Sequence, residues 1–174
     1  QMCIRDSNYT YMKDGQKLLS ELSALSPVPV YVRTHNLLTS GDGTPALKWG
    51  STNAYTEDSL GRPVYNWTIV DRIIDTYLQR KMKPLVEIGF MPEALSSHPQ
   101  PYKHSWEPGR NYNDIYTGWS YPPADYAKWG ELNYQLTRHL VQKYSRAEVE
   151  SWWFEVWNEP DIGYWHGTPE EYMK

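Results

Sequence analysis

The sequence predicts an α/β fold built on a parallel sheet. Two observations carry that expectation. Residues 28–35, 85–90 and 152–157 are short β-branched or aromatic runs, and stretches of helical apolar spacing alternate with them. Strands that alternate with helices pair as right-handed βαβ units. No repeat or low-complexity tract interrupts the alternation.

The first helix is expected over 16–25, where Leu18, Leu19, Leu22 and Leu25 recur between Gly15 and Pro27. A β-branched strand follows at 28–35. Residues 36–66 hold Gly41, Gly43, Gly50 and Gly61 without a clear period, and a loop of that length in a compact domain is usually functional or flexible. Asn66 suits the cap of a second helix, whose buried stripe is Ile69, Ile73, Tyr77 and Met82 beside Ile74 and Leu78. Lys83 and Pro84 end it, and 85–90 is the second strand. Another loop, 91–121, is rich in Pro, Tyr, His and Trp. Pro122 and Pro123 are expected to open a long helix carrying Trp129, Leu132, Leu136, Leu140 and Tyr144 on one stripe. The third strand has the composition of one buried on both faces, and Pro160 stops it. Thr168, Pro169 and Glu171 then read as a capping box opening a further helix.

The 174 residues carry a net charge of −4, which argues against a nucleic-acid surface needing a basic stripe. No apolar run reaches the roughly 20 residues of a membrane span. Nine Trp and fifteen Tyr are many, and flat rings suit both a core and the C–H faces of sugars. The lone cysteine, Cys3, excludes an internal disulfide. It lies in residues 1–7, QMCIRDS, which have no period and read as a non-native leader. Residues 8–174 are then the domain. Cellular location and oligomeric state are not legible.

The chemistry concentrates in the run Ser-Trp-Trp-Phe-Glu-Val-Trp-Asn-Glu-Pro-Asp at 151–161. It sets Asn158 and Glu159 where an apolar strand opens into a loop, with Tyr164, Trp165 and His166 close behind. A carboxyl group kept among aromatic rings can hold its proton near neutral pH, as a general acid must. The plainer alternative makes Glu159 a helix cap or the partner of a surface cation. Strand alternation sets Arg33 and His35 on one face, and Glu155, Trp157 and Glu159 on one face of theirs.

The run WWFEVWNEPDIGYW, with PLVEIGFMPEAL and YVRTHN upstream, resembles glycoside hydrolase family 39, a family of β-xylosidases and α-L-iduronidases. The likeness covers about residues 16–174. It implies a partial (β/α)8 barrel, about strands 2 to 4 of eight, since a whole barrel needs about 250 residues. It implies a retaining O-glycosidase with a carbohydrate substrate and no cofactor, in which Glu159 is the general acid/base. Asn158 would then bond the sugar 2-hydroxyl, with His35 in the sugar subsite. For His35, a structural histidine at a strand end is the competing reading. Retention requires two carboxyl groups about 5–5.5 Å apart, and the nucleophilic glutamate expected on the seventh strand falls beyond this chain. The 174-residue piece alone is therefore expected to be inactive and poorly soluble.

Arg33, Glu87 and Glu155 lie below the strand ends and are expected to form a buried ionic network, because a buried charge needs a partner. Trp165 is the leading sugar-stacking candidate, whereas loop packing is favoured for Trp106 and Trp119. Glu93, Asp42, Asp58 and Glu107 are read as solvated loop residues. His98, His104, Glu107 and His166 lack the close spacing of a zinc site, so no metal is expected. Two other readings stay open: a sugar-binding protein on a degenerate barrel, and another glycosidase of the same clan such as an endo-glucanase. The nature of the sugar stays open with them.

Overall fold

A computed structural model describes residues 8–43, 51–104 and 115–174. The expected leader, with Cys3, and both Trp106 and Glu107 lie outside these residues. Helix α1 (Lys13–Leu25) precedes strand β1 (Tyr31–Thr34). Next come the short strands β2 (Tyr55–Glu57) and β3 (Pro63–Tyr65), then helix α2 (Thr68–Leu78) and strand β4 (Lys83–Glu87). Strands β5 (Tyr102–His104) and β6 (Ile115–Gly118) follow. The chain continues through α3 (Tyr126–Tyr144), α4 (Arg146–Val149), β7 (Trp153–Glu155) and α5 (Pro169–Tyr172).

The three strands expected from the alternation form one parallel sheet in the order β1-β4-β7. In β4 the Lys83 N–H donates to Val30 O on the β1 side, and Ile88, just past the strand, donates to Glu155 O on the β7 side. Pro84, the neighbour of Lys83, therefore turns its missing N–H toward β7. Pairing with β7 begins only at Leu85, opposite Trp153, so the ladder loses no bond there. Val32, Thr34 and Val86 turn to one face, under the helices. Arg33, Leu85, Glu87, Trp153 and Glu155 turn to the other.

Both long loops contain antiparallel hairpins that the sequence reading left without structure. Asp58 closes the β2–β3 turn: its carboxylate accepts from the N–H groups of Leu60 and Arg62. Gly61 takes φ +71° there, which suits a residue without Cβ. Strands of three or four residues are too short to show a clear period of two, and that hid them. Lys128 of α3 ties this hairpin down, donating to Glu57 at 2.7 Å and to Gly61 O at 3.0 Å.

Asn66 is not the N-cap of α2: Trp67 holds that position without a side-chain cap bond, and Asn66 Oδ1 accepts from Thr68 N–H at 3.1 Å in the turn just before it. The Pro122–Pro123 pair does not open α3. Asp125 is the cap, accepting from the N–H groups of Ala127 and Lys128, while Pro123 lies in an extended bridge to Ser96. Leu132, Leu136 and Leu140 make the buried stripe of α3. α5 has the expected cap in full, with Thr168 and Glu171 bonding reciprocally and Pro169 in the first turn.

The third strand has a composition suited to burial on both faces but is an outer strand of these three, as expected of strands that cannot close a barrel by themselves. β7 is an edge of the sheet rather than a strand covered on both faces: Trp153 is 63% exposed, Phe154 48% and the following Val156 57%. Its pairing ends at Glu155, well before Pro160.

Candidate active site at the strand ends

The site is assembled at the C-terminal ends of β1, β4 and β7. Arg33 reaches from β1 across β4. Its Nε and Nη2 donate to the two oxygens of Glu155 at 2.5 and 2.6 Å, a bidentate fork. Nη2 also donates to Asn158 Oδ1 at 2.9 Å and lies 3.7 Å from Glu87 Oε2. Both expected glutamates thus face the one guanidinium.

Glu87 is fully buried. Its Oε2 accepts from the Asn36 N–H at 2.9 Å and stands 3.8 Å from His35 Nε2. Its other oxygen has no hydrogen-bond partner among the described residues. Burial pushes this carboxyl up to about 8, against the opposing pull of Arg33, so it is mostly protonated at neutral pH. Gly89 packs tightly beside it: a Cβ there would sit 3.0 Å from Glu87 Oε1 and from the Trp157 ring.

Past β7 the chain turns sharply. Trp157 is buried against Phe90, centroids 5.2 Å apart, and its Nε1 donates to Tyr164 O at 2.7 Å. This bond closes the base of the excursion holding Asn158 and Glu159. Asn158 is buried, whereas Glu159 is exposed and takes φ +43°. Glu159 was expected as the last residue on its strand. A left-handed conformation, uncommon for a side chain with a Cβ, instead directs its carboxylate independently of the strand's alternation. His35 likewise falls just past β1, nearly buried beside Glu87.

Tyr164 stands next to this carboxylate. Burial first, then Tyr102 and Glu159, push its hydroxyl up to about 12. Its ring meets Phe90 at 5.4 Å and Tyr102 edge-on at 5.2 Å. Tyr102 escaped the sequence reading, since nothing in an aperiodic loop marks which ring folds back.

The other candidates separate. Trp165 is half-buried in a cluster of rings, edge-on to Trp157 at 5.2 Å and to Tyr172 at 5.4 Å. With Trp129, Met91 and Val156 it lines a cavity of about 220 Å³. Trp119 packs in its loop, donating to Pro99 O at 3.0 Å. His166 holds Ser120 Oγ at 2.7 Å and stacks on Tyr121, whose ring also stacks on His98. Glu93 and Asp42 are exposed, and Asp58 serves its turn. Among the described residues no three His, Cys, Asp or Glu side chains converge as metal ligands. Nor is any described helix long and apolar enough to cross a membrane.

The family model described as "Glycosyl hydrolases family 39" matches residues 28–174. The chain belongs to glycosyl hydrolase family 39. Among its relatives, a β-xylosidase of Geobacillus stearothermophilus is 36% identical over 149 residues, covering 83% of this chain and 25% of the relative. A β-xylosidase of Caldicellulosiruptor saccharolyticus is 44% identical over 107 residues, 60% of this chain and 20% of the relative. The solved GH39 β-xylosidase of Caulobacter crescentus superposes with a TM-score of 0.77 at 25% identity, over 98% of this chain and 34% of that one. The GH39 enzyme of Xanthomonas axonopodis pv. citri also gives 0.77, at 27% identity, over 98% of this chain and 29% of that one. This family 39 chain thus spans between a fifth and a third of the length of these proteins.

Proposed function

We propose that the whole protein is a retaining glycoside hydrolase of β-xylosidase type, and that this chain supplies strands 2 to 4 of its (β/α)8 barrel. Glu159 is the general acid/base. It protonates the leaving-group oxygen as the glycosidic bond breaks, then takes a proton from the water that releases the sugar. The nucleophile is a second glutamate, expected on the seventh strand. Asn158 donates to the sugar 2-hydroxyl, and His35 and Trp165 are further contacts to the sugar.

One observation carries the reading. Asn158 is buried and fixed, while the adjacent Glu159 is exposed on a left-handed turn at the C-terminal end of a parallel sheet. Active sites of barrel enzymes lie at that end. A residue that merely capped a helix would need a helix to cap. Here the next helix, α5, is capped by Thr168.

Glu159→Gln in the whole protein tests it. Turnover should fall by about 10²–10⁴-fold on a xyloside whose leaving group needs protonation. Glu159→Ala should regain rate with azide on an activated aryl xyloside, because azide replaces base-assisted water. Equal losses for good and poor leaving groups would remove Glu159 from the role.

A further inference from the structure

Asn158 raises a question of orientation. A side-chain amide presents a donor on one side and an acceptor on the other, and only the donor side can give a proton to a sugar hydroxyl. Among the described residues, the Asn158 side chain's hydrogen bond is the one Oδ1 accepts from Arg33 Nη2 at 2.9 Å. A guanidinium has donors only, so the Asn158 NH2 group cannot face it. The guanidinium has little freedom of its own. Glu155 grips two of its nitrogens, and Glu87 stands 3.7 Å from Nη2 on the β4 side.

We propose that Arg33 is a positioning residue for the reaction: clamped by Glu155, its Nη2 holds the Asn158 amide so that Nδ2 is presented to the sugar 2-hydroxyl. This rests on the reading of Asn158 as the donor to that hydroxyl. It gives the interior network a task in recognition beyond satisfying charges. Asn158 immediately precedes Glu159, so the same grip also fixes where the left-handed turn begins.

The test uses the whole protein and two substrates, an aryl β-xyloside and the same compound lacking its 2-hydroxyl. The variants are Arg33→Lys, which keeps the charge but loses the planar fork, Glu155→Gln, which loosens the clamp, and Asn158→Ala. Arg33→Lys should lower kcat/KM for the hydroxylated substrate by about a hundredfold, the scale of a misplacement near 1 Å. The deoxy substrate should change within about threefold, so the preference between the two collapses. Glu155→Gln should shift the preference the same way, less far. Arg33→Lys added to Asn158→Ala should cost nothing further in preference.

If Arg33→Lys and Glu155→Gln lower both substrates in equal proportion while Asn158→Ala abolishes the preference, Arg33 is structural only. The proposal then fails and the donor role of Asn158 stands. If Asn158→Ala leaves the preference intact, the donor reading fails and the proposal with it.

Discussion

β1 and β7 are the two outer strands of one parallel sheet, yet they meet solvent differently. β1 alternates half-buried and buried residues, with Val32 sealed beneath the helices and its long side chains, Tyr31 and Arg33, spread over the opposite face. β7 is richer in aromatics and lies open on both faces. In the proposed barrel both strands would have a further neighbour, so the open faces of β7 are those of three strands taken alone. What joins the two edges is polar. Arg33 forks onto Glu155, and the Tyr31 hydroxyl donates to Ser151 O at 3.0 Å. Near that second bridge, Tyr31 and Trp153 meet edge-on at 6.3 Å.

Cutting the polar bridge should have the largest effect. Arg33→Met leaves the partly exposed Glu155 without its cation and is expected to cost about 1–3 kcal/mol, the scale for unpairing a charged hydrogen-bonded group. Denaturant unfolding measures it. A change near zero would mean that packing alone joins β1 to β7.

The middle strand sharpens the comparison through pH. Glu87 titrates near 8 in the fold against an ordinary 4.5, so folding takes up a proton between those values. Its contribution to stability is full below about 4.5, declines as pH rises, and is flat above about 8. Glu87→Gln should remove that decline from unfolding midpoints measured across the window. An unchanged slope would show that the carboxyl is ionised in the fold.

The smallest effect on stability is expected at the open edge. Trp153→Thr and Phe154→Thr keep strand propensity and should move the chain's unfolding free energy by about 1 kcal/mol or less. Both should reduce self-association in sedimentation, because exposed apolar patches drive it. A loss of several kcal/mol would place β7 among the sealed strands.

How legible was this in the sequence? The parallel βαβ order, the Leu132–Leu136–Leu140 stripe and the Thr168 cap were written in spacing and local chemistry, which are short-range properties. Arg33, Glu87 and Glu155 could be grouped because strand alternation fixes a face. The hairpins were not legible, since strands of three or four residues carry no clear period. Nor was the φ of Glu159, because a left-handed residue with a Cβ has no local sequence signal; it lies inside the loop that the Trp157–Tyr164 bond closes. Tyr102 was hidden for the same reason. Its neighbour Tyr164 lies 62 positions away, and only the folded loop joins them.

Pro84 sets the reading frame of the sheet. A parallel strand can slide along its neighbour, and a slip of one residue would put Phe154 where Glu155 meets the guanidinium. A slip of two toward the start of β4 keeps the faces but calls on a donor that Pro84 does not have. In the observed register the carbonyl facing Pro84 is Ser151 O, and the Tyr31 hydroxyl supplies its donor instead. The imino acid thus acts as an end-stop, and the distance from it to Glu155 is counted in residues rather than left to side-chain packing.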